Sequence, residues 1–378
     1  MYQMTDDQKL FVEQVRKMVA DKVAPRAAEI DRTAQFPWDM KEVFQEMGLL
    51  GLSIPEAYGG CYQGHLYVCL AVEEIARACV SSSLIVQVQS LGWHPILLGG
   101  SEEQKKQYGP RVASGQALAA YGLTEAGAGS DAASMKTTAV KNGNRYVING
   151  SKCFISNGPI ADVVTIFAMT DRSKGVKGIS AFIVEKSYPG YSVAKWESKM
   201  GIKGSPTGEL VFEDMEVPAE NLIGEEGKGF LYAMGTLDTS RPVIAAQSVG
   251  LAQGALDQAV VYAKQRVQFG KPIVAFQGIS WMLAEMAALI EGARALTYQA
   301  ADMITSHDPR RTYMSACSKL IASDVAMKVT TDALQIAAGY GYMTEFPFER
   351  MMRDAKITQI YEGTNQIQKL VIARELTK

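Results

Sequence analysis

The sequence predicts an α+β chain in three parts: an N-terminal α-helical domain over residues 1–116, a middle β-barrel-like domain over 117–226, and a C-terminal four-helix bundle over 227–378. Three observations predict it. Apolar residues recur at helical spacing through the first part. Short alternating runs separated by turn residues fill the second. Long helical patterns rich in Ala, Met and Leu return after Gly229. A chain of 378 residues that is 47% apolar and 21% charged can bury a core in two or three domains without crosslinks.

In the first part, Thr5 and Gln8 have capping-box spacing. Phe11, Val12, Val15, Met18, Val19 and Val23 follow at helical period, and Pro25 is expected to stop the helix. A second helix is expected over 66–78, with its charges on a polar face. A third, over 84–99, is almost uncharged, so it is buried or lines an apolar cavity. In the second part, residues 145–148, the pair Asn149-Gly150 and residues 152–155 read as a hairpin, with Asn142-Gly143 as the turn before it. Further strands are expected over 163–169 and 179–184. In the third part, helices over 243–265, 276–306, 313–338 and 366–375 with short links suggest an antiparallel bundle.

Composition excludes several function classes. A net charge of −2 implies no bulk attraction to nucleic acid or anionic lipid. The five cysteines, Cys61, Cys69, Cys79, Cys153 and Cys317, are odd in number and contain no CxxC. A disulfide framework or zinc site is not expected, and a reducing compartment is. The three histidines are far apart, so no metal centre is expected. There is no apolar run of the ~18 residues that would read as a membrane span, and the N-terminus has no signal-peptide core. A cytoplasmic location is expected, although a processed organellar protein would read the same way.

Three strings carry chemistry. Gly127-Ala128-Gly129-Ser130-Asp131-Ala132 matches a dinucleotide-binding motif, which requires a strand before it and a helix after it. A hairpin pattern follows instead. The string therefore reads as a loop whose backbone N–H groups and Ser130 approach a phosphate or amide, or as a plain glycine turn. In Ile360-Tyr361-Glu362-Gly363-Thr364-Asn365-Gln366, a carboxylate stands between an apolar stretch and a glycine. Alone it reads as a solvated charge at a helix start. Gly363 would let a ligand approach the backbone, and Thr364 can cap the next helix. Arg266-Val267-Gln268-Phe269-Gly270-Lys271-Pro272 reads by itself as a helix end with a turn.

Taken together, these strings resemble the acyl-CoA dehydrogenase family over essentially the whole chain. Residues 121–131 (Tyr-Gly-Leu-Thr-Glu-Ala-Gly-Ala-Gly-Ser-Asp) match one family signature. Residues 335–341, 353–356, 361–367 and 372–374 match a second, and Arg266 with Gln268-Phe269-Gly270 a third. The resemblance implies one FAD per subunit, held between the β domain and the bundle. Tyr121, Leu123, Thr124 and Ser130, with Phe154, Ile155 and Ser156, would lie against it. Thr364 and Gln366 would touch the subunit's own FAD. Arg266, Gln268, Phe269, Gln335 and Gly339 would reach the FAD of a neighbour, which implies a homotetramer. Ser130, Asp238 and Arg241 would contact or orient the acyl-CoA, with Gln87, Tyr361 and Gly363 at the acyl end. This chain departs from the usual pattern at Phe154, where the family has Trp, and at Ala338, where many members have Gly and an added methyl would tighten the cofactor loop.

The resemblance also implies a mechanism. Glu362 removes the α-proton of the thioester, and the β-hydride passes to the flavin. Hydrogen-bond donors on the thioester oxygen, among them the Glu362 amide, stabilise the enolate by about 3–4 kcal/mol each. Some branches of the family carry the base near residues 238–243; this stretch has no Glu here. No Arg or Lys lies between Ala78 and Gly100, which disfavours a dicarboxylic acyl group. A short- to medium-chain saturated acyl-CoA is expected, branched or alicyclic ones included, with an electron-transferring flavoprotein as acceptor. The alternatives are an oxidase, the same fold working as an enoyl-CoA reductase, and a flavin-binding homologue without activity.

Overall fold

The computed structural model describes residues 3–378. Six helices come first: α1 (Asp6–Met18), α2 (Ala27–Thr33), α3 (Trp38–Glu46), α4 (His65–Ala78), α5 (Val80–Gly99) and α6 (Glu102–Ala113). The capping box at α1 is present, with the Gln8 N–H donating to Thr5 Oγ1 at 3.2 Å and the Thr5 N–H donating to Gln8 Oε1 at 3.0 Å. Pro25 does not stop the chain as expected. The helix widens into a π turn at Val19–Val23 and passes through a 3-10 turn at Ala24–Arg26 into α2. Proline is tolerated at the start of a helical segment because its missing N–H has no partner to lose there.

The expected polar face of α4 is also corrected. Glu73 and Glu74 are buried, and they pair with Arg294 at 2.8 Å and Arg16 at 2.6 Å. Charges that look solvated in one helix are here the partners of arginines far away in sequence. α5 is uncharged because it is enclosed. It packs against α4, α6, α7 (Gly229–Gln265), β1 (Ala119–Gly122) and β4 (Val163–Met169).

The middle part is one mixed sheet. Its strands are β1, β2 (Thr138–Asn142), β3 (Arg145–Ser156), β4, β5 (Ile179–Glu185), β6 (Tyr191–Trp196), β7 (Thr207–Pro218) and β8 (Leu222–Ile223). The order is β6-β7-β3-β2-β4-β5-β8, and β1 pairs parallel to β4. The hairpin lies one turn earlier than expected. Gly143-Asn144 joins β2 to β3, with Asn142 opposite Arg145, whereas Asn149-Gly150 sits inside the continuous β3 as a bulge. Gly150 adopts φ +143°, and a Cβ there would stand 2.7 Å from Thr137 Cα, so no other residue lets β2 come this close. A second bulge falls between Lys152 and Ile155, where Phe154 takes φ +59°.

The last part holds α7, the short hairpin β9 (Val267–Gln268) and β10 (Lys271–Pro272), then α8 (Gln277–Thr305), α9 (Arg311–Ala337), α10 (Phe348–Thr358) and α11 (Asn365–Leu376). α7, α8 and α9 pack on one another. α11, the expected fourth helix, packs on α9, and α10, which the periodicity did not reveal, lies across α7 and α9. α7 begins 14 residues before the expected start at Val243 and continues through Pro242. An interior proline costs about 3 kcal/mol. Here every residue from Ser240 to Ala252 is buried, and that packing outweighs the lost hydrogen bond.

Ala338, which ends α9, has φ +53° and ψ −130°. A residue with a Cβ is strained there by about 1–3 kcal/mol. Ala338→Gly removes the strain and adds roughly 0.5–1 kcal/mol of chain entropy to the unfolded state. The expected net effect is a stabilisation of about 1 kcal/mol, read as a higher urea midpoint at unchanged slope; a lower midpoint would contradict it.

Candidate active site

Glu362 lies in the turn between α10 and α11, at φ +53°, followed by Gly363 at φ +87°. A left-handed Glu costs about 1–2 kcal/mol, so neighbouring groups must hold it. They do so from several elements. On α11, Gln368 Nε2 donates to the Glu362 carbonyl at 3.2 Å and to the Gly363 carbonyl at 2.8 Å. On α9, Lys319 Nζ donates to the Gly363 carbonyl at 2.9 Å. Thr364 caps α11 by accepting the Ile367 N–H at 3.3 Å.

The Glu362 carboxylate points into the body of the protein, where helices α5 and α7 meet it. Gln87 Nε2 of α5 donates to Oε1 at 3.2 Å, and the Ser240 hydroxyl of α7 donates to Oε2. Burial pushes the pKa of Glu362 above the ordinary carboxylate value. The hydrogen bonds from Ser240 and Gln87 oppose that rise, as do the positive charges of Lys319 and Arg241. The result is a carboxylate that is easier to protonate than a surface glutamate and is surrounded by donors. Among the described residues, the Glu362 amide N–H has no hydrogen-bond partner.

The structure brings most of the expected acyl-end residues to this point. Tyr361 donates from its hydroxyl to Gln247, whose Nε2 donates to Ser83 Oγ at 2.9 Å. Arg241 is buried. It is bonded to Asp238 at 2.6 Å, and its Nε has no partner. The Tyr121 hydroxyl on β1 senses both Glu362 and Arg241, and burial drives its pKa well up. Ser130 stays on the exposed loop after β1, which leads through a 3-10 turn at Ala132–Ser134 into β2 rather than into a helix. That connection excludes the dinucleotide-motif geometry for Gly127–Gly129.

The strand residues expected against FAD share one edge. The Cys153 N–H donates to the Thr124 carbonyl at 2.9 Å, which sets Tyr121, Leu123 and Thr124 beside Phe154, Ile155 and Ser156. The Phe154 bulge leaves its ring 65% exposed. This edge fits a flat heteroaromatic group such as the FAD ring because Phe154 offers an uncovered ring, and around Glu362 the Arg241 Nε and Gln87 Oε1 are buried polar atoms without partners.

A different set is not brought to Glu362. Arg266 lies over the Tyr340 ring at 5.3 Å, and Gln268 and Phe269 sit on the exposed β9–β10 hairpin, with Phe269 93% exposed. Gln335 and Gly339, also exposed, mark the end of α9. Along α9, Gln335 is 16 residues from Lys319, about 24 Å at helical rise. Gln366 is exposed at the start of α11.

Several groups at the site were not singled out from the sequence: Ser240, Gln247, Lys319 and Gln368, and the buried pair Glu125–Lys152 behind β1. The one available signal was chemical mismatch, as with a lysine in the otherwise uncharged stretch 312–323.

Three family models cover the chain. The acyl-CoA dehydrogenase N-terminal domain matches residues 5–116, the middle domain 120–215 and the C-terminal domain 227–377. The cyclohex-1-ene-1-carbonyl-CoA dehydrogenase of Syntrophus aciditrophicus is 48% identical over 377 residues, covering 100% of this chain and 91% of its own. The butyryl-CoA dehydrogenase of Megasphaera elsdenii is similar in structure with a TM-score of 0.97 at 46% identity, both chains being covered in full. A chain in the structure described as the electron transferring flavoprotein of Acidaminococcus fermentans gives a TM-score of 0.98 at 46% identity, again over 100% of both.

Proposed function

Because the chain belongs to the acyl-CoA dehydrogenase family, whose members are FAD flavoproteins, we propose that it dehydrogenates a short- to medium-chain or alicyclic acyl-CoA to the 2-enoyl-CoA, with Glu362 as the α-proton acceptor. The observation that carries this reading is the Glu362 carboxylate itself. It is drawn into the protein on a left-handed turn, its pKa is raised by burial, and it faces Gln87, Ser240, Arg241 and Tyr121.

An α-proton beside a thioester is too weakly acidic for a free carboxylate. Burial makes Glu362 more basic, which narrows the gap. The unpartnered Glu362 amide N–H is the chain's own donor for the thioester oxygen. Bound FAD would supply the acceptor for the β-hydride. Tyr121, Leu123, Thr124, Phe154, Ile155, Ser156, Thr364 and Gln366 would hold it within the subunit. Gln268, Phe269, Gln335 and Gly339, all exposed, and the half-buried Arg266 would hold it from a neighbour in a homotetramer.

The acyl group is read from the walls. Gln87, Ser83, Gln247 and Tyr361 form a hydrogen-bonding wall without a cation, which suits a neutral, compact acyl chain rather than a dicarboxylic one. The names of the alicyclic and butyryl relatives support the same range. An electron-transferring flavoprotein is the proposed acceptor. Titrating the purified yellow protein anaerobically with butyryl-, octanoyl-, cyclohexane-1-carbonyl- and glutaryl-CoA tests the reading. The flavin band should bleach with one or more of the first three and not with glutaryl-CoA. A spectrum unchanged by all four would reject it.

A further inference from the structure

Lys319 lies on α9 and is entirely buried. Its ammonium donates to the Gly363 carbonyl and to Asn365 Oδ1, both at 2.9 Å. Asn365 is held in turn by the Ser323 hydroxyl at 3.1 Å and by its own Nδ2 donating to Asp324 at 2.8 Å. One face of α9 therefore grips the segment that directly follows Glu362. None of the direct partners of Lys319 is an anion. A buried ammonium with only neutral acceptors is unfavourable unless a negative charge stands near. The charges that face it are Glu362, Asp324 and, with like sign, Arg241.

We propose that Lys319 is a positioning residue for the catalytic base: its ammonium locks the left-handed Glu362–Gly363 turn through the Gly363 carbonyl and supplies the positive charge that keeps Glu362 ionised. The proposal rests on Glu362 being the base. The two roles are one arrangement, because the group that fixes the turn is also a cation whose charge acts on the carboxylate. Burial lowers the Lys319 pKa to about 8, and Glu362 opposes that fall, so the ammonium persists through neutral pH. The other groups around Glu362 are Gln87 on α5, Ser240 and Arg241 on α7, Tyr121 on β1 and Tyr361 in the turn itself. Of these only Arg241 is a second cation, and it is already paired with Asp238.

The test is the pH dependence of kcat/KM for butyryl-CoA in the FAD-loaded protein, with urea midpoints recorded in parallel. Activity should rise with pH as Glu362 loses its proton. In Lys319→Met the rise should move to higher pH, so that the loss against the parent is more than about tenfold greater at pH 6 than at pH 9. Gln368→Leu removes a clamp on the same carbonyls without removing charge, so it should lower activity by one factor at every pH. If Lys319→Met does not fold, Lys319→Gln, which keeps a donor for Gly363, carries the same comparison. A Lys319 variant whose loss is the same at every pH, while Glu362→Gln is inactive, overturns the proposal alone. An active Glu362→Gln overturns the base assignment and this inference with it.

Discussion

Glu362→Gln is expected to keep the fold and the yellow colour while dehydrogenation of butyryl-CoA falls by about 10⁴-fold, the upper range for a general base. The substitution preserves size, the left-handed turn and the carbonyl contacts from Gln368 and Lys319, all of which involve backbone. What it removes is the ability to take a proton. The amide also presents an N–H₂ where Ser240 or Gln87 now donates to a carboxylate oxygen. Gln87 can rotate to offer its unpartnered Oε1, so the local hydrogen bonding recovers and the protein need not unfold. Single-turnover bleaching of the flavin is the direct readout. Bleaching at a near-normal rate would remove Glu362 from the mechanism.

The second large effect is expected at Lys152, which has no charge-seeking role visible in its sequence setting. Its side chain is fully buried behind β1. Nζ donates to Glu125 at 2.7 Å and to the Leu123 carbonyl at 3.2 Å. Glu125 also accepts the N–H groups of Lys136 at 2.6 Å and Thr137 at 3.0 Å. The pair thus ties the segment 121–125, which runs on from β1, to β3, which bears Phe154, Ile155 and Ser156. Lys152→Met leaves a buried carboxylate without its cation, and breaking one side of such a pair costs about 3–5 kcal/mol. The urea midpoint should fall accordingly, and FAD should be lost on ultrafiltration. Lys152→Met combined with Glu125→Gln should recover part of the stability, because no uncompensated charge remains. Burial alone would raise the Glu125 pKa, but Lys152 and the amide donors hold it below the ordinary value. The contribution is therefore present above the unfolded carboxylate pKa and lost as pH falls through the carboxylate range. A Lys152→Met protein with the parent's midpoint and FAD affinity would show that the pair holds nothing.

Much of the architecture could be read along the chain. The capping box at Thr5 and Gln8, the uncharged stretch that became α5, and the helix–sheet–helix order all follow from local spacing, and each is present. The errors share a cause. Asn149-Gly150 has the composition of a two-residue turn, and so does Gly143-Asn144; which of them reverses the chain depends on β7, which pairs with both halves of β3. α7 was cut at Pro242 because the packing that overrides the proline is contributed by other helices.

The sequence by itself determined the periodicities, the three-part order and the identity of the carboxylate in the turn before α11, because these depend on residues a few positions apart. Only the tertiary structure decided what that carboxylate meets. Gln87 reaches it across 275 residues, Ser240 across 122, and Lys319 holds its turn across 44. Burial raises the pKa of that carboxylate while distant donors and cations oppose the rise, and burial is a property of packing that no local pattern encodes.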